Sequence, residues 1–431
     1  MHNLSFKAGI ILAAAGGLAF STTAAHATEG YFANGAGARS KAVAGAGAAD
    51  SRDATAIAIN PAGLAGVDTE LDISLSLFSP NRRFTGTGGP GFTPNTVNKS
   101  DANYFPIPNV AFNYRLDDTS SIGFSIIGNG GMNTKFTNVP NPACVSPPLP
   151  ANNGVFCGGE TGVNLLQMLI TVAYAKDFGP VKIGVAPILA HQRFKANGLL
   201  AFGGVTSNPA ALTNNGVDGG WGFGARVGIE LEPVEGFRIG AAYQTKIKMS
   251  KFDKYAGLFE GGGSFDIPSS FQIGVAADVT PNLTIMADYR HIKYSDVPAI
   301  SNSSGIMLPF GADGGPGFGW NNVNTYKIGA EYRSGDKWTL RAGYAHNSQP
   351  VNGADVTLNI LAPGVVTDHF TAGGSVAISK NSTIEFAAMY APTDRVTGIE
   401  VTPGGPNPGH NIAIEMKQIE FTVGWKMRFG K

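Results

Sequence analysis

The sequence predicts an all-β protein: a transmembrane antiparallel barrel of about fourteen strands with its own N-terminal segment plugging the lumen. Three observations predict it. Apolar residues recur at every second position in segment after segment from Glu70 to Phe429. The connections between these segments alternate between short and long. A stretch of different character, Thr28 to Val67, stands in front of the first segment.

The front of the chain is read first. Lys7, the apolar run Ile10 to Phe20 and the small-x-small site Ala25-His26-Ala27 have the layout of an export signal. The run is too short for a spanning helix, which takes about 20 apolar residues. Removal of this leader is expected to leave a mature chain starting at Thr28 outside the cytoplasm. Thr28 to Val67 is rich in small residues, lacks a sustained apolar face, and ends in Asn60-Pro61-Ala62-Gly63-Leu64. The expected divisions are a leader (1–27), a plug (28–69) and a barrel (70–431).

The body alternates with period two. Leu71, Ile73, Leu75 and Leu77 alternate with Asp72, Ser74 and Ser76. Trp221, Phe223, Ala225, Val227 and Ile229 alternate with Gly222, Gly224, Arg226, Gly228 and Glu230. Phe421, Val423, Trp425 and Met427 close the series. Such segments present one apolar and one polar face, which suits either a soluble sandwich or a membrane barrel. Three features favour the barrel: segments of about ten residues or more, aromatics gathered at the segment ends (Trp221, Tyr243, Tyr289, Tyr332, Tyr344, Tyr390), and the loop asymmetry. Short turns lie near 117–120, 178–180, 233–236, 280–282, 334–336 and 380–381. Long loops lie near 85–102, 136–164, 195–219, 250–263, 296–320, 349–366 and 396–410. The predicted starts are Glu70, Phe105, Ser121, Leu165, Val181, Trp221, Phe237, Phe265, Leu283, Val323, Lys337, Phe370, Thr383 and Asn411.

Composition narrows the function. The 31 basic and 31 acidic residues balance, whereas nucleic-acid binding needs a basic excess. With 59 glycines and 14% charged residues the chain resembles neither a helical nor a disordered protein. Cys144 and Cys157, following an export signal, are expected to form a disulfide pinning an exposed loop. No further Cys or His cluster suggests a metal site, and no cofactor is expected. Two apolar stretches stand out among the long loops. Thr161 to Leu169 is expected to begin as a short amphipathic helix, and Pro209 to Leu212 offers a second helical turn. Leu165, Leu166, Met168 and Leu212 are thereby candidates for capturing an apolar ligand, with loop packing as the alternative.

At Asn60-Pro61-Ala62-Gly63-Leu64 a resemblance enters. Gly30-Tyr31-Phe32 near the expected mature start, a Gly/Ala-rich stretch, and this motif before the first strand together resemble the FadL family (OmpP1/FadL/TodX-like). These are outer-membrane transporters of long-chain fatty acids, with relatives that admit aromatic hydrocarbons. The resemblance covers the mature chain in layout, but its specific motif lies within the first forty mature residues. It implies a 14-stranded barrel with the N-terminal segment folded into the lumen as a hatch. Asn60, Pro61 and Ala62 would be the hatch motif, and Tyr31 and Phe32 would lie by a central pocket. Ligand caught at the outer loops would leave sideways through a break in the third strand. That strand reads Ile122 to Met132, and Gly128, Asn129, Gly130 and Gly131 are the candidates for the opening because glycine weakens pairing and marks bulges. The chain departs from the pattern by ending Phe429-Gly430-Lys431, with the terminal aromatic displaced by two residues.

The function expected is passive uptake of long-chain fatty acids or other hydrophobic compounds across a Gram-negative outer membrane, by a monomer in contact with membrane lipid. Inward charges (Arg226, Arg238, Asp288, Arg290, Glu331, Arg333, Arg341) are expected to satisfy the hatch. A general porin is the alternative, and it would lack a dedicated plug. An outer-membrane hydrolase would have to rest on His291 or His346, and no catalytic constellation supports it. The last alternative is a secreted β-rich adhesin.

Overall fold

A computed structural model describes residues 29–144 and 153–430. The expected leader, Thr28 and Lys431 lie outside the described residues. Fourteen long strands each pair antiparallel with their sequence neighbours. The last also pairs with the first, from Glu70↔Arg428 to Gly88↔His410. The sheet is thereby closed into a barrel.

The strands are β1 (Glu70–Gly88), β2 (Phe105–Arg115), β3 (Ser120–Asn133), β4 (Gly162–Asp177) and β5 (Val181–Asn197). They continue as β6 (Asp218–Val234), β7 (Phe237–Gln244), β8 (Ser270–Thr280), β9 (Leu283–Ile292) and β10 (Val323–Ser334). The last are β11 (Trp338–Asn347), β12 (Asp368–Ser379), β13 (Ser382–Thr402) and β14 (Gly405–Arg428). Two short strands, Val97–Lys99 and Lys248–Met249, pair onto β1 and β6. Alternation resolves as a lipid-facing exterior: Phe223, Phe421 and Val423 are 75%, 60% and 61% exposed, whereas Arg226, Glu230 and Thr422 are buried inside. This inverts the soluble pattern, as lipid solvation requires.

Several boundaries differ from expectation. Residues 396–410, read as a long loop from their Gly and Pro, form a hairpin from Thr402 to Gly405 at the end of β13 and β14. The β-branched Val396, Thr397, Ile399 and Val401 favour extended pairing there. Thr161 to Leu169 does not start as a helix, because β4 runs from Gly162 and is paired on both sides. Leu165 points inward and is fully buried, while its alternates Leu166 and Met168 face outward, so none sits in an outer loop. The strand predicted from Phe265 begins at Ser270, leaving Phe265 buried in the lumen. Phe429 lies one residue past β14; its N–H donates to Thr69 O (2.8 Å) and its ring meets Phe112 at 6.4 Å.

The lumen is occupied by residues 29–69. They form one short helix, α1 (Gly37–Ala42), and two 3-10 turns, Ala54–Ala58 and Pro61–Gly66. Short irregular elements cannot satisfy their own backbone groups, so the wall supplies partners. Asp288 accepts from Gly47 N (3.0 Å) and Ala48 N (2.8 Å), Arg226 donates to Ile57 O (2.8 Å), and Arg238 to Ala49 O (3.2 Å). Arg39 of α1 bonds Glu331 (3.0 Å) and Asp50, Arg341 joins the same Glu331 (2.7 Å), and Lys41 pairs with Glu420. Arg333 is the exception among the expected inward charges: it sits at the turn rim and donates to Pro281 O.

The Asn-Pro-Ala motif has a steric reason. Asn60 Nδ2 donates to Ala48 O (2.7 Å) and, across to β6, to Ile229 O (2.9 Å), while its Oδ1 accepts from Ala62 N (3.1 Å). The facing wall pair is Gly184↔Gly228. A Cβ on Gly228 would lie 1.9 Å from Asn60 Oδ1, and one on Gly184 2.3 Å from Ala62 N. The motif seats because two glycines let the backbones meet. Deleting residues 28–67 is expected to turn a poorly conducting barrel into an open pore in planar bilayers. Unchanged conductance of a correctly folded deletion barrel would show that the segment does not obstruct the lumen.

Candidate functional site

The N-terminal end of the described chain is held deep inside the barrel. Glu29, wholly buried, pairs with Lys327 (2.6 Å) of β10 and Arg290 (2.9 Å) of β9. Tyr294 Oη donates to Glu29 O (2.7 Å) and accepts from Tyr31 N (3.1 Å). Tyr31 stacks on Phe32 (5.1 Å between ring centres, 13° between planes) and lies within 6.0 Å of Tyr294 and Trp320 and 6.4 Å of Phe265. Arg290 sits 5.3 Å over the Phe32 ring. Burial pushes the Tyr31 phenol well above its ordinary range, so it stays protonated.

Beside this cluster the wall is interrupted. The β2–β3 ladder ends at Val110↔Ile126, although β2 continues on β1 to Phe105 and β3 continues on β4 to Asn133. The β3–β4 register shifts between Gly128 and Gly130, a bulge at Asn129. In place of the lost ladder, Asn109 Oδ1 accepts from Gly128 N at 3.2 Å. From the inside, Ala33 N donates to Asn129 O (2.9 Å) and Gly131 N to Tyr31 O (3.1 Å). A Cβ on Gly130 would lie 1.9 Å from Tyr31 O, so glycine is what lets the two backbones touch. A cavity of about 60 Å³ between the segment and the bulge is lined by Phe32, Asn34, Ile127, Asn129, Arg290 and Lys327, among others.

A second cavity, of about 230 Å³, opens among the outer loops. Phe202, Val205, Leu308, Phe310 and Leu358 line it, and none of its lining residues is charged. One contiguous apolar cluster runs from here to Tyr31 and Phe32, through Phe194, Phe265, Trp320 and their neighbours. Leu212 is part of that cluster and buried, beneath the Pro209–Ala211 turn, so it is not at the capture surface. Cys144 and Cys157 are bonded to each other in the β3–β4 loop.

The model of the family described as "Outer membrane protein transport protein (OMPP1/FadL/TodX)" matches residues 18–429. The chain belongs to this family. It is similar to the long-chain fatty acid transport protein of Escherichia coli K12, at 22% identity over 333 residues, 66% of this chain and 70% of that one. In fold it is similar to a Pseudomonas aeruginosa FadL homologue, with a TM-score of 0.67 at 16% identity over 93% of this chain and all of that one. The P. putida toluene transporter TodX gives 0.65 at 17%, over 92% of this chain and 99% of the other. As a FadL/TodX-type protein it is a multi-pass barrel of a Gram-negative outer membrane that transports hydrophobic compounds, and it is not an enzyme.

The sequence reading of this FadL/TodX-type chain missed Glu29, Lys327, Tyr294 and Trp320. Tyr294 and Trp320 flank a loop read as outward, whereas the loop folds into the barrel mouth. The apolar run Ile306-Met307-Leu308-Pro309-Phe310 was the available signal for the outer cavity, since such a run is unusual in a solvent loop. Glu29→Gln is expected to weaken seating of the N-terminal segment, because it leaves Lys327 and Arg290 buried against a neutral partner. Faster proteolysis near residue 30 and raised conductance would register this; wild-type behaviour in both would show that the triad does not hold the segment.

Proposed function

We propose that this chain admits small neutral hydrophobic molecules, which enter at the outer cavity, move along the apolar cluster to Tyr31 and Phe32, and leave sideways at the β3 bulge. The observation that carries the ligand class is the uncharged outer cavity. A carboxylate buried there would lose its hydration with no cation to replace it. Farther in, Lys327 and Arg290 both engage Glu29, so a fatty-acid carboxylate would have to compete with Glu29 for a group that carries one positive charge in excess. The size agrees: a cavity of about 150 Å³ lined by apolar groups takes benzene, and this one is about 230 Å³. The toluene transporters among the structural neighbours are in keeping with this reading.

The route rests on the same physics. An apolar solute crossing a water-filled lumen keeps its surface hydrated at about 25 cal/mol per Å². A lumen filled by residues 29–69, acting as a hatch, with an apolar path and a lateral exit avoids that cost. Gly128, Asn129, Gly130 and Gly131 form the exit because the wall there is patched by side chain and segment contacts. The unit is a monomer, since one barrel contains the whole path.

Two measurements test the proposal. Purified protein is expected to bind a neutral arene such as toluene and to bind oleate about tenfold more weakly or worse; preference for oleate would overturn the ligand class and favour fatty-acid uptake. Gly130→Val with Gly131→Val is expected to lower uptake by a barrel that still folds and still binds arene at the outer cavity, although a side chain at position 130 also displaces Tyr31. Undiminished transport by a folded variant whose wall is structurally closed would exclude the lateral route.

A further inference from the structure

The outward face of β5 changes character along its length. Gln192, Phe194 and Ala196 are buried inside, so Ile183, Val185, Pro187, Leu189, His191, Arg193 and Lys195 face outward. Read toward the long-loop end, this row is apolar, then aromatic, then basic. Strand β6 supplies a matching row: Val227 and Phe223 stand beside Val185 and Leu189, and Trp221 beside His191. The His191 and Trp221 rings lie 4.3 Å apart, an outward aromatic pair of the kind that forms a barrel's interfacial girdle. Arg193 and Lys195 project just beyond. Opposite Arg193 on β6 is Gly219, which brings no side chain to that position. Lys248 stands beside Phe223 on the far flank of β6.

Elsewhere on this rim several bases have acids of their own, while Lys251 and Lys254 donate to the backbone carbonyls of Gly261 and Val217. Lys246 pairs with Asp266 (2.9 Å), Lys293 with Asp296 (3.0 Å), His346 with Asp368 (2.9 Å) and Lys135 with Glu160 (3.2 Å). Arg193, Lys195 and Lys248 have no carboxylate partner among the described residues. Two unpaired cations, Arg193 and Lys195, beyond an aromatic pair, with exposed aliphatic side chains below and Lys248 lower and to the side at the Phe223 rung, match an amphiphile with phosphate at its head and acyl chains below.

We propose that the β5–β6 face binds a phosphorylated glycolipid of the outer leaflet, with one phosphate held by Arg193 and Lys195, Lys248 flanking, and acyl chains along Val185, Leu189, Phe223 and Val227. Arg193 presents a planar fork suited to two phosphate oxygens, and Lys195 and Lys248 add point charges. The site is separate from the transport path, since every group in it faces away from the lumen. It depends on the outward orientation of this face and not on the identity of the transported ligand.

The test uses the full mature chain in detergent, wild type beside an Arg193→Gln, Lys195→Gln double variant. Bound lipid is read by native mass spectrometry during titration with bisphosphorylated lipid A, with its dephosphorylated form and with inorganic phosphate. Wild type is expected to retain the bisphosphorylated lipid about tenfold better than the variant, and to lose that advantage in high salt. Equal retention by the two proteins, or equal retention of the dephosphorylated lipid, overturns the proposal. Inorganic phosphate bound with the same dependence on Arg193 and Lys195 identifies a free-anion site and also overturns it. Heat-modifiable mobility checks folding, and the single variant Lys195→Gln, expected to show an intermediate loss, serves should the double variant not fold.

Discussion

Within hydrocarbon there is no water to accept or donate a hydrogen bond, so every backbone group of the wall must find a partner in the protein. The closed ladder from β1 round to β14 meets that demand almost everywhere. Where β2 and β3 part beyond Ile126, the demand does not lapse, and substitutes appear. Asn109 reaches across to Gly128, while Tyr31 and Ala33 bond Gly131 and Asn129 from inside. The break in the wall and the seating of the N-terminal segment are therefore one structural fact: the segment completes the wall it stands behind.

The same demand acts on the segment itself. Its small, irregular elements bring few apolar groups and many unpaired amides into a polar lumen, and the barrel answers with inward charges. Arg226, Arg238 and Asp288 serve backbone groups, while Glu331 and Glu420 hold Arg39 and Lys41 and Arg341 shares Glu331. Breaking one partner of such a buried pair costs several kcal/mol, about 3–5, which gives the lower part of the segment a firm seat. The balanced 31 and 31 charges of the chain are consistent with this internal pairing. Residues 29–33 sit at the other end, where their partners are an ion triad, aromatic rings and a bulge. Lower and upper parts of the segment are held by different chemistry, and the upper part is the one that touches both the apolar cluster and the β3 bulge.

Much of this architecture is legible in residues alone. Period-two alternation identifies the strands because a lipid-facing wall has one apolar face, and the starts at Glu70, Phe105, Val181, Phe237, Leu283 and Val323 coincide with those observed. Gly128 to Gly131 marks the irregular part of β3 because glycine weakens a ladder wherever it clusters. Asn60-Pro61-Ala62 announces a tight turn through a capping side chain and a proline. These are local properties, written within a few residues of where they act.

The candidate site was less legible, since its parts come from separated segments. Nothing near Glu29 says that Lys327 and Arg290 will surround it, and nothing near Gly228 says that Asn60 will fill the space a side chain would occupy. Leu165 and Leu212 read as surface-loop residues because period and loop composition carry no information about how a loop folds back; both are core. The apolar loop run 306–310 lines a cavity only because Phe202 and Leu358 meet it from other loops. Sequence alone determined a closed β wall, an irregular segment before it and a weak place in the third strand, since each depends on neighbours along the chain. Tertiary structure decided which charges meet, where the β2–β3 ladder ends and what lines the cavities, because those depend on strand register and loop packing across hundreds of residues.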